Sequence, residues 1–222
     1  MTALLALDGV SRNFAGVRAV AGVSLAVSAG TVVAVAGPNG AGKTTLLDLI
    51  AGVHRPDSGT IRLAGQDITG WRPDRTCAAG IGRTFQPPRP FGGLTVEDSV
   101  VVAALLHEPE IAVARRRALE LLEPLGLAPR CDQPAASLDF SGRKRLELAR
   151  ALATRPRLLL LDEPLAGLEP ADRDDLAGFL RGLRGRRGLA ILMAEQFAEA
   201  AAALADDIIR LDHGEIIDGT PP

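Results

Sequence analysis

Apolar and polar residues alternate from about residue 4 to residue 36, punctuated by Gly and Ser. Val23, Leu25 and Val27 fall on one face of a strand with that period. Residues 31–36 form an apolar run that predicts a buried strand, and residues 45–51 predict a helix closed by Gly52 as C-cap. Residues 59–65 predict an antiparallel strand ending in a turn. Arg83-Thr84-Phe85-Gln86 is extended, because Pro87, Pro88 and Pro90 bar a helix there. From about 95 to 154 the period is helical: Val96, Val100, Val101 and Ala104, then 111–125, then 143–153. Three short apolar runs follow, at 158–161, 189–193 and 207–211, with a tight turn at His213-Gly214. Strands covered on both faces read this way, and their alternation with helices predicts a parallel α/β core. The basic stretch 184–187 is expected to be a solvated helix end. No internal repeat or low-complexity tract interrupts the pattern.

Between the strand at 31–36 and the helix at 45–51 lies Gly37-Pro38-Asn39-Gly40-Ala41-Gly42-Lys43-Thr44. It fits the phosphate-loop pattern G-x-x-x-x-G-K-[ST] in the context that gives that pattern meaning. A glycine loop between strand and helix turns backbone N–H groups toward one point, at the positive end of a helix dipole. That point suits a nucleotide β-phosphate. Lys43 then reaches the β/γ oxygens, the Thr44 hydroxyl ligates Mg²⁺, and Thr45 completes the phosphate-binding set. Lysine usage agrees. Of 25 Lys and Arg residues only Lys43 and Lys144 are lysines, and the two cations are not equivalent at a phosphate.

Asp162-Glu163 directly follows the run at 158–161. An Asp at the C-terminal end of a parallel strand, beside a phosphate loop, is where a Mg²⁺ partner belongs. Glu163 next to it is placed to act as general base toward a water. Two adjacent carboxylates repel, and Mg²⁺ with a nearby Lys offsets that.

Bulk composition narrows the function further. The 222 residues suit one large domain, and 47% hydrophobic content supplies a full core. A net charge of −2 and 3% aromatics without Tyr argue against nucleic-acid binding. No apolar run approaches the ~20 residues of a membrane span. Residues 1–5 lack the basic start of a secretory signal. Cys77 and Cys131 are isolated, as free thiols in a reducing compartment, and have no metal-ligand spacing.

Taken together, the phosphate loop, Gln86, the run Leu146-Glu147-Leu148-Ala149-Arg150-Ala151-Leu152 and Leu161-Asp162-Glu163-Pro164 resemble the nucleotide-binding subunit of an ABC transporter. Arg83–Gln86 and Ala166-Gly167-Leu168-Glu169-Pro170 most resemble the ATPases of branched-chain amino-acid importers. The resemblance spans nearly the whole chain. It implies a single domain over 1–222: an α/β P-loop core with a mostly parallel sheet, an N-terminal antiparallel β subdomain, and an inserted helical subdomain. The core and β subdomain would be 1–86 and 155–222, and the helical subdomain 87–154. It also implies ATP and Mg²⁺ as ligands. Phe14 would stack on adenine, and Gln86 would sense Mg²⁺ and the γ-phosphate. Glu169 would face a dimer partner. The subunit would sit on the cytoplasmic face of the membrane with transmembrane permease subunits, a second ATPase subunit and, indirectly, a substrate-binding protein.

Two positions depart from that family's pattern. Its signature, Leu-Ser-Gly-Gly-Gln, meets Leu138-Asp139-Phe140-Ser141-Gly142 here. In the ungapped register Asp139 faces the partner's γ-phosphate, and two like charges at ~4 Å repel by roughly 4 kcal/mol at an effective dielectric near 20. A one-residue gap instead aligns Ser141-Gly142 with the family's Ser-Gly. In either register, the helix dipole and the Arg143, Lys144, Arg145 cluster would soften the repulsion. The family's switch histidine is replaced by Gln196, which donates a hydrogen bond but carries no proton. His54, His107 and His213 read as surface residues. Because Asp139 and Gln196 would act on different sites of a pair, a heterodimer is favoured over a homodimer.

Overall fold

A computed structural model describes residues 3–88, 91–183, 188–196 and 201–218. Its centre is a six-stranded sheet in the order β10-β9-β3-β8-β7-β6. These strands are β3 (Val32–Ala36), β6 (Ile81–Arg83), β7 (Leu158–Asp162), β8 (Ala190–Glu195), β9 (Asp207–Asp212) and β10 (Glu215–Asp218). All pair in parallel except β10, which closes the edge antiparallel to β9. Every residue of β3, β7 and β8 is buried.

Successive side chains of a strand point to opposite faces, and these strands feed two cores. Val33, Val35, Leu158, Leu160, Ala190 and Leu192 join one cluster. Val32, Ala34, Leu159, Leu161, Ile191 and Met193 join the other. The first cluster lies under helix α1 (Lys43–Ile50) and a second, antiparallel sheet in the order β2-β1-β4-β5. That sheet comprises β1 (Ala3–Phe14), β2 (Val17–Ser28), β4 (Ser58–Leu63) and β5 (Gln66–Asp67). Val23, Leu25 and Val27 are all buried in it, as their shared face predicts.

The other core lies under helices. After the short α2 (Pro73–Ala78), three come between β6 and β7: α3 (Val96–Ala104), α4 (Ile111–Leu122) and α5 (Phe140–Ala153). Then α6 (Pro170–Leu183) follows β7. Thr95 caps α3 by accepting from the Asp98 N–H at 3.0 Å. The helical period overran one end: α4 stops at Leu122, and Gly126 reverses the chain with φ 69°. It also underran one start, since α5 begins at Phe140, capped by Asp139. On α1 the C-cap is Ala51, and Gly52 follows with φ 78°. Residues 184–187, expected as a solvated helix end, lie outside the described residues. His107 and His213 are exposed, but His54 is half-buried against the Phe14 ring, centroids 5.0 Å apart.

Leu122 is fully buried where α3, α4 and α5 meet. Leu122→Ala should destabilise the fold by about 2–5 kcal/mol through lost transfer and a residual cavity. Urea unfolding checks this, and a loss well below 1 kcal/mol would show that this side chain is not core.

Candidate nucleotide-binding and catalytic site

The loop from Gly37 to Gly42 joins the end of β3 to α1 at the C-terminal edge of the central sheet. Its glycines are sterically required. A Cβ on Gly37 would lie 2.1 Å from the Leu211 carbonyl oxygen. One on Gly42 would lie 2.1 Å from that of Ala19, and Gly42 itself has φ 103°. Gly42 is the N-cap of α1 and offers no side-chain acceptor, and no acidic residue sits in the first turn. The helix's leading N–H groups and dipole are therefore left for an external anion. Pro38, Asn39 and Gly40 are exposed, whereas Ala41 is buried, and its carbonyl accepts from the Gly214 N–H at 2.9 Å. The β9–β10 turn thus braces the loop, a contact that local pattern does not encode.

Lys43 is buried and folds back over the loop. Its Nζ donates to the Gly37 carbonyl at 2.6 Å and the Pro38 carbonyl at 2.9 Å. The ammonium is thereby aimed along the glycine loop. Thr44 and Thr45 follow in the first turn, Thr44 exposed and Thr45 half-buried.

Thr44 Oγ1 donates to Asp162 Oδ1 at 3.2 Å, joining the loop to the end of β7. Asp162 Oδ2 is buried and makes no hydrogen bond among the described residues, while the Arg83 guanidinium approaches it to 3.7 Å. Burial pushes the Asp162 pKa up, against the pull of Arg83 and Thr44. A buried carboxylate oxygen without a donor, beside a hydroxyl, is an oxygen set suited to a hard cation such as Mg²⁺. Arg83 also pairs with Asp48 of α1. It is a site residue that sequence reasoning passed over, although it opens the Arg83–Gln86 stretch.

Glu163 lies one residue beyond the strand with φ 45°, an unusual conformation for a residue with a Cβ. Its N–H donates to the Ala194 carbonyl at 3.0 Å, and Gln86 Nε2 donates to its Oε2 at 2.8 Å. Gln86 and Glu163, distant in sequence, are therefore in direct contact.

Two further buried ionisable groups flank this turn: Lys144, which sequence reasoning placed only in the basic cluster near Asp139, and Glu195, which it did not single out. Lys144 Nζ donates to the Glu163 carbonyl at 2.6 Å and the Pro164 carbonyl at 3.1 Å. Burial lowers its pKa to about 8, opposed by Glu195, Glu163 and Asp162. Glu195, at the end of β8, has its pKa raised to about 7 by burial and by Glu163, while Lys144 and the Leu165 and Gln196 N–H groups pull the other way. The signal for Lys144 was its rarity as a lysine.

Other predicted residues lie apart. Asp139 caps α5, and its Oδ1 accepts from the Gly142 N–H at 2.7 Å. Its Oδ2 is 3.5 Å from Arg130. Among the cluster expected to soften the repulsion, each side chain has a partner of its own. Arg143 donates to the Ala136 carbonyl, Lys144 turns inward, and Arg145 pairs with Asp172 and Asp175. Arg130, which sequence reasoning did not name, adds a positive charge beside Asp139. Ser141 sits inside the first turn, and its Oγ accepts from Arg145 Nε at 3.3 Å. No hydrogen bond or ion pair joins this cap to the phosphate loop among the described residues. Phe14, half-buried at the end of β1, packs against His54 under the Arg12 guanidinium. Gln196 follows Glu195 directly, and Glu169 is exposed just ahead of α6.

Comparisons with known proteins agree with this geometry. The family model for ABC transporters matches residues 20–166. The chain is 35% identical to the high-affinity branched-chain amino acid transport ATP-binding protein BraF of Pseudomonas aeruginosa, covering 98% of this chain and 92% of that one. It is 33% identical to LivG of Escherichia coli, which carries the same description, over the same shares. Among solved structures, the ADP conformation of an ATP-binding cassette of an ABC transporter superposes with a TM-score of 0.87 at 28% identity, covering all of this chain and 92% of that one. The chain belongs to the ABC transporter ATP-binding family and is an ATPase of that family.

Proposed function

We propose that this chain binds and hydrolyses Mg-ATP to energise import of branched-chain or related amino acids, seated on the cytoplasmic face of the membrane against transmembrane permease subunits. A substrate-binding protein would take part indirectly. The observation that carries the catalytic part is the Thr44–Asp162 hydrogen bond, beside an Asp162 oxygen without a donor. The amino-acid reading rests on the names and full-length coverage of the relatives. No described helix is long and apolar enough to cross a membrane. We divide the cassette at 87–154 for the helical subdomain, with 1–86 and 155–222 as core and β subdomain.

In this reading, residues 37–45 cradle the phosphates and Phe14 faces adenine. Lys43 brings its charge to the β/γ oxygens. Thr44, Asp162 and Gln86 would hold Mg²⁺, which when bound would neutralise charge on those oxygens. Glu163 accepts the proton of the attacking water, and the Gln86 amide orients its carboxylate. Gln196 donates a hydrogen bond toward the γ-phosphate. The partner subunit's phosphates would meet Asp139, Ser141 and Gly142. We take Asp139 at the family's serine position, because it holds the N-cap of α5 while Ser141 lies within the helix.

A second reading has support from Asp139 and Gln196: a catalytically weak, regulatory nucleotide-binding subunit. In a heterodimer each defect falls on a different site and the partner supplies its own signature, which is why we favour a heterodimer over a homodimer.

Mg-ATP turnover by the purified chain, with and without a second cassette subunit, separates these readings. Glu163→Gln should keep ATP binding and lose turnover by at least about 100-fold, the scale of general-base catalysis. Undiminished hydrolysis by that variant removes Glu163 as the base. Lys43→Ala should lose Mg-ATP binding in a nucleotide titration, and tight binding by it refutes the phosphate-loop role. Steady turnover by the wild-type chain alone counts against both the weak subunit and the obligate heterodimer.

Serine also caps helices well, so Asp139→Ser should fold normally and raise turnover several-fold. Unchanged or reduced turnover would return the signature role to Ser141-Gly142.

A further inference from the structure

The turn Glu163-Pro164-Leu165 is gripped by a buried lysine and flanked by a buried carboxyl group. Lys144 approaches from α5, donating to the carbonyls of Glu163 and Pro164 at 2.6 and 3.1 Å. Glu195, at the end of β8, lies on the other side, close enough to Glu163 for the two carboxylates to oppose each other, with its Oε1 buried and without a hydrogen bond among the described residues. Both are nearly inaccessible, Lys144 at 9% and Glu195 at 4% exposure. The turn needs such restraint. Glu163 holds φ 45°, and a non-glycine residue stays in that region only where its surroundings over-determine it. Glu163 is in fact held at its N–H by Ala194, at its carbonyl by Lys144 at 2.6 Å and more loosely by the Ala166 N–H at 3.3 Å, and at Oε2 by Gln86.

We infer that Lys144 is a positioning residue for Glu163: it fixes the backbone from which the proposed base projects, and ties that backbone to helix α5. This rests on the reading of Glu163 as the base. The consequence is mechanical. Asp139, at the start of α5, is the residue proposed to meet the partner's nucleotide, and Lys144 follows it by just over one helical turn. One rigid helix end thus touches the proposed partner site through Asp139 and this chain's own catalytic turn through Lys144. Displacement of α5 is passed to Glu163 through the 2.6 Å bond. The neighbouring Arg143 and Arg145 point to other partners and cannot share the task. Gly142, between cap and lysine, has no room for a Cβ beyond 2.9 Å from Asp139 Oδ1, so this helix start is also closely packed.

The test compares wild type, Lys144→Met, Lys144→Arg and Glu163→Gln, in whichever assembly, chain alone or paired, gives wild-type turnover. Mg-ATP affinity, kcat at saturating ATP and the thermal midpoint are measured for each. Lys144→Met should bind Mg-ATP within about 3-fold of wild type and lose about 10–100-fold in kcat, the effect of a small misplacement of a catalytic group. Lys144→Arg should recover kcat to within about 5-fold, because a guanidinium presents several donors to adjacent carbonyls. Wild-type kcat in Lys144→Met overturns the inference. So does a fall of affinity and kcat together with the thermal midpoint, which marks a merely structural lysine, and so does failure of Arg to rescue. If Lys144→Met does not fold, Lys144→Gln carries the same test, with the same kcat-selective loss expected. Glu163→Gln separates the two claims. An inactive Glu163→Gln beside a fully active Lys144→Met removes the positioning role alone. An active Glu163→Gln removes the base, and the positioning role with it.

Discussion

Burial of β3, β7 and β8 at every position leaves those strands no solvent-facing side. A parallel sheet covered on both faces can present polar chemistry only where its strands end. In this chain the register aligns those ends. Ala36 of β3 lies beside Glu195 of β8 and Arg210 of β9, and Asp162 of β7 lies beside Ala194 of β8. The loop after β3 and the carboxylates after β7 are therefore brought to one edge by sheet register, and the Thr44–Asp162 hydrogen bond joins them. The proposed roles of Lys43, Thr44, Asp162 and Glu163 depend on that alignment. A slip of one residue would also exchange the two cores, since alternate side chains of each strand serve opposite clusters.

What could be read from the chain beforehand follows from how local each determinant is. The phosphate loop was legible because strand, glycines, Lys43 and helix are contiguous, and the glycine requirement proved physical at Gly37 and Gly42. The buried β3, β7 and β8 were legible as continuous apolar runs, and residues 59–65 as the antiparallel β4, whereas 207–211, expected to be covered on both faces, is exposed at Asp207 and Arg210 in β9. Asp162 and Glu163 were legible by their position after such a run. Arg83, Lys144 and Glu195 were not, because nothing within a few residues of each reveals its partner. Arg83 meets Asp48 and Asp162, Lys144 meets a carbonyl 19 positions on, and Glu195 meets a turn from another strand. Helix ends erred for a related reason: α5 starts at Phe140 because Asp139 caps it, whereas the apolar period becomes clear only from Leu146 onward.

Both lysines of this chain do similar physical work. Lys43 and Lys144 are each buried, and each donates to two consecutive backbone carbonyls. Elsewhere the chain uses Arg, including at Arg83, where one guanidinium bridges two carboxylates. Burying these charges is unfavourable, as the lowered pKa of Lys144 and the raised pKa of Glu195 record. Each lysine is compensated by the two carbonyls it donates to, and Lys144 also by the charge of Glu195, Glu163 and Asp162.

Asp139 shows the same tension between folding and chemistry at the other end of α5. As an N-cap it is a strong choice: its carboxylate accepts from Gly142 and faces the helix dipole, both stabilising within this subunit. As a group proposed to meet a partner's γ-phosphate, it places like charges together, where a serine would cap nearly as well without repulsion. The capped geometry reduces the conflict, because one oxygen is committed to Gly142 and the other lies near Arg130. It does not remove the charge. A residue that serves its own helix and opposes a facing phosphate is tolerable where the two ATP sites of a pair are unequal, which is the physical ground for proposing a heterodimer.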